Sequence, residues 1–531
     1  MSFTLPAMSY ADGIKKFSTV QFGGYNHNLG YGDGTIWDEK NMTSDLFPIL
    51  SPRKARYLRR TLTAFHGMYA HDGLYYVDGT TLYLDGAAKL TGLSDTEKVM
   101  ANLGAYLVIL PDKVWYNRLD GSHGNIEQSV LNKACTIKNG TYGGEAADAN
   151  TIVCDSVNFE NYFKAGDAIS ITGATKHPEN NTGEGVYLIV REVDGHELRF
   201  YENTFTIAEN GDTETLSFKR EMPDLEFLCE NENRLWGCKG NTIYASKLGD
   251  VRNWNVFDGL ASDSYAASVG SEGDFTGCVS YLGYPCFFKE ESIYKVYGSK
   301  PSNFQVMGSA NLGVAKGSGR SLAVAGETLF YLSRAGIVAY SGGIPQNISA
   351  AFGTDRYQNA VGGSDGRKYY VSMKGSDGWR IFVYDTEKSM WNAEDGTEAQ
   401  GFEWSGGELY MAAGGKLWVC GNPISNTGVK EDSVSAMVEF GDFIESSPNK
   451  KGHGKVQIRV ELEAGAELSL SQQFDSNGTW VLVKKLTATA KRSYYLSTLP
   501  RRCDHFKIKL EGTGVWRLYS LVRESYIGSE L

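Results

Sequence analysis

A short motif recurs along most of this chain and limits what the chain can fold into. An apolar, aromatic-rich strand is followed by a tight Gly, Asp or Asn turn, a second strand and a Gly-rich loop. The motif is clearest in residues 74–84 (LYYVDGTTLYL) and 234–245 (RLWGCKGNTIYA). Apolar and polar side chains alternate within it, as in half-buried strands, and Gly79 tolerates the positive φ of a hairpin turn. The repetition predicts a radial β-repeat protein.

The number of repeats indicates one β-propeller. Further hairpins of this kind are predicted at Tyr106–Tyr116, Tyr284–Tyr297, Thr328–Tyr340, Lys368–Tyr384 and Glu408–Val419. A propeller blade has four short antiparallel strands, and propellers usually have about four to eight blades. We therefore predict an all-β chain with a propeller of about seven blades. We predict that residues 61–124 and 225–425 form the propeller. Residues 1–60 are predicted to be an N-terminal arm that holds its first strands.

Residues 125–224 interrupt the repeat. They lack the motif, and their predicted strands alternate apolar and polar residues between turns such as Asp194-Gly195 and Asn210-Gly211. Loops at the rim of a domain tolerate insertions because the ends of an inserted domain can lie close together. We predict a small β-barrel inserted into a propeller loop.

The sequence pattern changes again near the C-terminus. Segments such as 455–463 (KVQIRVELE), 467–474 (ELSLSQQF) and 505–511 (HFKIKLE) alternate over long stretches. Strands with one apolar and one polar face are typical of two packed sheets. The sequence predicts a β-sandwich of jelly-roll type over residues 430–531.

The charge balance is modestly acidic. The net charge is -11, from 52 basic and 63 acidic residues. A protein that wraps duplex DNA normally has a basic surface, so sequence-specific DNA binding is disfavoured. One basic run is an exception, and its residues are Arg53, Lys54, Arg56, Arg59 and Arg60. We interpret this run either as a partner-facing or DNA-facing surface or, as is more common for charge runs, as a solvated face.

Cysteine usage and the absence of targeting signals bear on the compartment. Eight cysteines are scattered without a Cys-x-x-Cys spacing, which predicts reduced thiols rather than a disulfide framework. The N-terminus has no basic segment followed by an apolar stretch, and no stretch is long enough for a membrane-spanning helix. We therefore expect synthesis in a cellular cytoplasm and no membrane span.

Patterns that carry chemistry are few. The eight His residues show no metal-ligand spacing, and the Gly-rich residues 312–319 (LGVAKGSG) lack the pattern of a phosphate-binding loop. Two carboxylates suffice for glycoside hydrolysis, so the abundant Asp and Glu residues leave that activity open. We predict no catalytic residue, no cofactor and no metal site, and hence a protein that is not an enzyme.

Several longer motifs lie in order between residues 20 and 305. The first are Phe22-Gly-Gly-Tyr and residues 41–53 (NMTSDLFPILSPR). Further ones are residues 163–167 (FKAGD), 234–238 (RLWGC), 246–254 (SKLGDVRNW), 283–289 and 295–304. Together they resemble the tail-module proteins of tailed phages and of Firmicutes prophages, in which a motif similar to residues 41–53 precedes a propeller.

The predicted order of a propeller and a C-terminal sandwich is also similar to the tail hub, or packaged-DNA stabilisation, proteins of short-tailed phages. That resemblance implies a virion structural protein of the tail or neck, made in the bacterial host cytoplasm. It implies a ring-forming homo-oligomer that continues the DNA channel below the adaptor, allows DNA passage during ejection and holds a needle or fibres. The inserted barrel departs from the simpler pattern of that family.

Two other classes of function stay open. A receptor- or carbohydrate-binding tail tip protein would use aromatic residues such as Trp254 and Trp391 as sugar platforms rather than as packing between blades. A propeller glycoside hydrolase would place two carboxylates near the propeller axis. Assembly is favoured because a propeller offers rigid, preformed faces. Ring assembly needs contacts between unlike faces, and we expect the barrel and the sandwich to supply them.

Overall fold

The computed structural model describes residues 14–28, 34–142, 145–146, 149–208, 211–421, 423–424, 427–445, 447–487, 489–498 and 501–526. These residues form strands and turns almost throughout, which confirms the all-β prediction. The helical elements among them are five short 3₁₀ turns, at Phe159–Asn161, Pro178–Asn180, Pro301–Asn303, Gly319–Ser321 and Ser349–Phe352. In this part of the chain no helix has the length and apolar character needed to cross a bilayer.

The strands are numbered in chain order. Before the inserted segment they are β1 (Lys15–Thr19), β2 (Ile36–Lys40), β3 (Met42–Thr43), β4 (Ser51–Pro52), β5 (Tyr57–Thr61), β6 (Phe65–Ala70), β7 (Leu74–Asp78), β8 (Thr81–Leu84), β9 (Ala87–Thr91), β10 (Val99–Leu103), β11 (Tyr106–Leu110), β12 (Val114–Asn117) and β13 (His123–Asn125). Within the inserted segment they are β14 (Gln128–Lys138), β15 (Thr141–Tyr142), β16 (Glu145–Ala146), β17 (Thr151–Val153), β18 (Ala168–Thr172), β19 (Leu188–Ile189), β20 (Glu192–Asp194), β21 (Glu197–Arg199) and β22 (Asp212–Arg220).

The repeat then resumes. Its strands are β23 (Phe227–Asn231), β24 (Arg234–Lys239), β25 (Thr242–Ala245), β26 (Tyr265–Ser268), β27 (Gly277–Tyr281), β28 (Tyr284–Phe288), β29 (Ser292–Tyr297), β30 (Gln305–Ala310), β31 (Ala323–Ala325), β32 (Thr328–Ser333), β33 (Gly336–Tyr340), β34 (Gln346–Asn347), β35 (Gln358–Ser364), β36 (Lys368–Gly375), β37 (Gly378–Asp385), β38 (Met390–Ala393), β39 (Ala399–Ser405), β40 (Glu408–Ala413) and β41 (Lys416–Cys420). The C-terminal strands are β42 (Val429–Lys430), β43 (Ser435–Phe440), β44 (Lys451–Leu462), β45 (Glu467–Phe474), β46 (Val481–Leu486), β47 (Arg492–Ser497), β48 (Arg502–Cys503), β49 (Phe506–Thr513) and β50 (Trp516–Tyr526).

Seven small sheets share one plan, an antiparallel meander of four strands. Sheets I to VI are β6–β9, β10–β13, β23–β26, β27–β30, β31–β34 and β35–β38. Sheet VII joins β39, β40 and β41 to β5, and the short β42 pairs with the same strand. β5 comes from the N-terminal arm. The last sheet of the repeat is therefore completed by the strand that precedes the first sheet.

Two compact units divide the described chain. One, residues 64–316, holds sheets I to IV and the inserted segment. The other, made of the residues before and after that range, holds sheets V to VII and the C-terminal strands. Within each unit the first strands of consecutive sheets contact one another.

The strand β11 shows how the repeat packs. Leu107 and Ile109 enter an apolar core shared with sheet I, whereas Val108 and Leu110 enter a second core shared with sheet III. Both faces of sheet II are thus covered by neighbouring sheets. This explains why the residues of β11 form a continuous apolar run and do not alternate between apolar and polar.

The inserted segment forms a sheet of its own, with strand order β19-β18-β22-β14-β17-β21-β20. Its two outer members, β19 and β20, follow each other in the chain and pair with β18 and β21. In β22 every second residue points inward, including Leu216 and Phe218, which join a core of their own. The inserted sheet therefore has a separate apolar centre.

One disulfide corrects the expectation of reduced thiols for two of the eight cysteines. Cys135 in β14 is bonded to Cys154, which follows β17. The two strands are antiparallel neighbours with Thr136 opposite Val153, so these cysteines come together although 19 residues separate them. Strand pairing between scattered cysteines leaves no spacing motif in the sequence.

The C-terminal region forms two sheets around one core. One sheet has the order β1-β50-β44-β47, with β48 also on β44, and the other has the order β2-β43-β49-β45-β46. Alternate residues of β49 and β50, such as Ile508, Leu510 and Leu518, fill the space between them. We call these sheets the C-terminal sheet pair.

The N-terminal arm is shared between two destinations. Of its strands, β5 belongs to the repeat, whereas β1 and β2 pair with β50 and β43 of the C-terminal sheet pair. The arm was expected to hold the first propeller strands, and β5 is the strand of the arm that lies in the repeat. Alternation identifies these segments as strands but does not reveal their partners. Residues 1–13 of the arm lie outside the described residues.

Candidate functional site

Residues 41–56, which we call the strap, connect the C-terminal sheet pair to sheets VI and VII. Asn41 Nδ2 donates a hydrogen bond of 2.8 Å to the backbone oxygen of Ser435 at the start of β43. Ser44 Oγ donates one of 2.6 Å to Asp385 Oδ2 at the end of β37. Polar side chains of the strap therefore bind both the C-terminal sheet pair and sheet VI.

Two arginines of the strap lie in a buried cluster of charges. Arg53 Nη1 and Nη2 donate to the two carboxylate oxygens of Glu431 at 2.8 and 3.0 Å. Arg56 Nη2 donates to Glu394 Oε2 at 2.6 Å, and its Nη1 lies 2.9 Å from Asp395 Oδ2. Burial alone would raise the pKa of Asp395, but Arg56, a hydrogen bond from Thr397 and Arg53 together lower it to about 2. We call these five residues the strap cluster.

The structure separates the members of the basic run. Arg53 and Arg56 are buried in the strap cluster, so they do not contribute to a partner-facing or DNA-facing surface. Lys54 is exposed, while Arg59 and Arg60 are half-buried on β5. Arg59 Nη2 donates to both carboxylate oxygens of Glu408 at 2.8 and 3.0 Å. The run is mostly an internal set of ion pairs whose acidic partners lie 338 to 378 residues away.

A buried carboxyl group lies on β2, just before the strap. Glu39 is fully buried, and its Oε1 accepts hydrogen bonds from Asn392 Nδ2 at 3.0 Å and from the Ala393 amide at 2.6 Å. Burial raises the pKa of Glu39 to about 8. Arg380 lies nearby, where its Nη2 donates to Asp38 Oδ1 at 2.6 Å. β2 is thereby held against sheet VI as well as against β43.

A second buried cluster of polar side chains joins the inserted sheet to the loop after β25. Arg220, at the end of β22, donates to Asp167 Oδ2 and, through Nε, to the Ile126 backbone oxygen at 2.9 Å. Asn253, in the loop after β25, donates to Asp167 Oδ1 at 3.0 Å. Its own Oδ1 accepts from the Ala168 amide at 3.1 Å. The side chains of Asp167, Arg220 and Asn253 are almost completely buried, and we call them the insertion cluster.

The longer motifs between residues 20 and 305 supply residues to both clusters. Asn41 and Arg53 are the ends of the motif NMTSDLFPILSPR, Asp167 ends FKAGD, and Asn253 belongs to SKLGDVRNW. The sequence indicated these motifs but not their structural role. Asp167 and Asn253 are 86 residues apart, and Arg53 and Glu431 are 378 apart. Only the fold brings such partners together.

The two tryptophans considered as sugar platforms are buried. Trp254 is 1% exposed and its Nε1 donates to the Val251 backbone oxygen at 3.1 Å. Trp391 is 3% exposed and donates to the Ile348 backbone oxygen at 2.9 Å. Both side chains pack inside the protein, so neither offers a face to a ligand.

One group of side chains in the described residues has the composition of a metal site. Asp475, Asp504 and His505 place carboxylate oxygens and a ring nitrogen within 4.8 Å of one another. His505 already bonds Asp504 through Nδ1 and Ser476 Oγ through Nε2, the latter at 2.7 Å. The group is partly exposed at a turn of the C-terminal sheet pair, and protein contacts occupy both ring nitrogens.

A groove of about 590 Å³ lies beside sheet VII. Its walls include Trp418, Lys416, Thr397, Glu398 and Asp395. Lys416 Nζ lies 5.5 Å from the centroid of the Trp418 ring. An aromatic ring beside carboxylates and hydroxyl groups can bind a polar ligand with apolar faces, such as a sugar.

Comparisons with known proteins give only distant likenesses. No protein-family model and no curated protein matches the sequence. Among solved structures, BamB from Moraxella catarrhalis is similar at 10% identity and a TM-score of 0.32, over 71% of this chain and 99% of that protein. A variant of the exo-beta-1,3-galactanase from Phanerochaete chrysosporium, crystallised with beta-1,3-galactotriose, is similar at 9% identity and a TM-score of 0.22, over 56% of this chain and 94% of that protein. Likenesses at these TM-scores carry no conclusion about this chain.

Proposed function

We propose that this chain is a structural protein of a phage virion, a hub or ring component of the tail or neck. It would assemble with copies of itself and with other tail proteins around or below the DNA channel. The observation that carries the proposal is the role of the longer motifs, because they contribute Arg53 to the strap cluster and Asp167 and Asn253 to the insertion cluster. These residues fix added sheets to a repeat, which is what a rigid building block needs.

The proposal includes an architecture. Sheets I to VII would be the blades of one seven-bladed propeller, closed where β5 completes sheet VII. The inserted sheet would be a closed barrel, because the continuous segment 188–194 supplies both end strands of its order, β19 on β18 and β20 on β21. The C-terminal sheet pair, with one shared core, would be a β-sandwich.

Contact surfaces for assembly are available on both added structures. Val186 and Tyr201 of the inserted segment are 53% and 49% exposed, and Leu482 and Tyr495 of the C-terminal sheet pair are 60% and 67% exposed. Exposed apolar groups of this size contribute most where they become buried between subunits. These side chains are our candidates for contacts within the ring.

Carbohydrate binding is a second candidate, and the groove at Trp418 is the observation that favours it. A glycan array with the purified protein tests it. Selective binding that is lost in Trp418→Ala and retained in Trp404→Ala, a substitution of an exposed tryptophan, would support a receptor-binding tip.

Labelled electron microscopy tests the main proposal. Phage-like particles that carry an epitope tag on this chain are treated with gold-labelled antibody and imaged in negative stain. We expect label at the neck or tail in several copies per particle. Intact tailed particles without label, with the tagged chain found only in the unassembled fraction, would refute the structural role.

A further inference from the structure

Half of the cysteines of this chain lie on two consecutive sheets. Cys229 and Cys238 are on β23 and β24 of sheet III, and Cys278 and Cys286 are on β27 and β28 of sheet IV. Cys229, Cys238 and Cys278 belong to or pack against the single apolar core between these sheets. None of the four is part of a disulfide.

Strand register brings two of these thiols together. β23 and β27 contact each other as first strands of their sheets, and Asn231 Nδ2 donates to Ser280 Oγ at 2.9 Å across that contact. Cys229 and Cys278 each lie two residues earlier on the same strands, on the same face. Strand register therefore places the Cys229 and Cys278 side chains next to each other, one step along the strands from the Asn231–Ser280 contact.

We propose that Cys229 and Cys278 are an oxidisable pair that forms a disulfide between sheets III and IV when the protein meets hydrogen peroxide. One thiolate attacks the peroxide, breaks its O–O bond and becomes a sulfenic acid, with water released after proton transfer. The other sulfur then attacks the sulfenic sulfur and expels a second water molecule. In total two thiols and one hydrogen peroxide give one disulfide and two water molecules.

Access and acidity set the rate of this reaction. Both side chains are only partly buried, so a molecule as small as peroxide can reach them. The Cys278 hydrogen bond and burial raise the pKa of Cys229, and burial raises the pKa of Cys278. A small thiolate fraction slows attack on peroxide. We expect slow oxidation at neutral pH that accelerates as the pH rises.

Peptide mapping of the intact protein tests the inference without any variant. The protein is treated with hydrogen peroxide, blocked with an alkylating agent and digested with trypsin without reduction. Cys229 lies in the peptide 221–234, and Cys278 in the peptide 253–289. We expect these peptides to be joined in treated protein and separate in untreated protein. Linkage of 253–289 to 235–239, which contains Cys238, or the absence of any new linkage, would overturn the assignment.

Two variants separate Cys278 from its neighbour on the same peptide. In Cys278→Ser the linkage should be lost. In Cys286→Ser it should persist, because Val279 and not Cys278 lies opposite Cys286, which places that thiol on the other face of the sheet. Oxidation should also raise the unfolding temperature of the wild type by about 5 °C and leave that of Cys278→Ser unchanged. Loss of the linkage in Cys286→Ser would contradict the pairing. The chemistry is independent of the proposed scaffold role.

Discussion

At the scale of single residues, the strap cluster pairs two buried arginines with three carboxylates that are buried or partly buried. Charges taken out of water recover much of their desolvation cost where opposite charges pair at short distance. Arg56 is bonded to two carboxylates that are themselves largely buried. Removal of one member therefore leaves a buried charge without its partner. The resulting loss of folding stability is larger than the net stabilisation that the ion pair provides.

We predict that Arg56→Met lowers the free energy of unfolding by about 3 to 5 kcal/mol. Methionine keeps an apolar stem of similar length but leaves Glu394 and Asp395 without this guanidinium. Urea denaturation measures the change. The control is Lys54→Met, an exposed site two residues away, which should change stability by less than about 0.5 kcal/mol. Equal effects of the two substitutions would show that the cluster does not hold the strap.

Glu39 makes stability depend on pH. The pKa of this carboxyl rises from its ordinary value of 4.5 to about 8 in the folded protein. Between these values the folded state binds more protons than the unfolded state, so stability is full below pH 4.5 and is lost as the pH rises through 8. The loss is on the order of a few kcal/mol.

Glu39→Gln should remove that loss, because a glutamine carries no charge at any pH. We expect the variant to match the wild type near pH 5 and to exceed it in urea denaturation above pH 8. The exposed Glu398→Gln provides the control. A wild type whose stability does not fall over this interval would contradict the assignment of Glu39 as a neutral buried acid.

At the scale of elements, local strand pairs were predictable and distant ones were not. The hairpin around Gly79 appears as β7 and β8 because turn chemistry and alternation are encoded within a dozen residues. The pairing of β5 with β41 and of β1 with β50 joins opposite ends of the chain. Alternation is the same for any partner, so the sequence did not predict these pairs.

In the candidate site too, the sequence revealed local motifs but not contacts between residues far apart in the chain. The basic run was visible in the sequence, but its burial was not, because Glu394 and Glu431 lie far along the chain. The motifs FKAGD and SKLGDVRNW were visible, but the bond between Asp167 and Asn253 requires the inserted sheet to be in place. The sequence shows these residues only as parts of longer motifs, whereas the structure shows which distant residues they contact.

The insertion cluster gives a test at this scale. Asn253→Ala removes the bond to Asp167 and the acceptor of the Ala168 amide. We expect amide hydrogen exchange at Ala168 to accelerate about tenfold, as measured by mass spectrometry or NMR. Thr172→Ala alters an exposed residue of the same strand and should leave that amide unchanged. Unaltered exchange in Asn253→Ala would mean that other contacts hold the inserted sheet.

At the scale of the whole molecule, the proposal is that a repeat of small sheets becomes a rigid block because added sheets are locked to it by buried polar groups. Such a block needs no moving part and no reaction chemistry to serve in a particle. Its assembly should depend on exposed apolar side chains of the added sheets. Tyr495 is the most exposed of those proposed as contacts, at 67%.

Cryo-electron microscopy of the purified full-length protein tests this account most directly. The account predicts that sheets I to VII close into one ring in each chain. It also predicts that the chains are arranged about a symmetry axis and contact one another through the inserted segment and the C-terminal sheet pair. Tyr495→Glu should disperse the oligomer, whereas Leu119→Glu, at a residue 76% exposed in the turn between β12 and β13, should not. Isolated monomers, an open row of sheets, or an oligomer in which both added structures are free of neighbouring chains would contradict it.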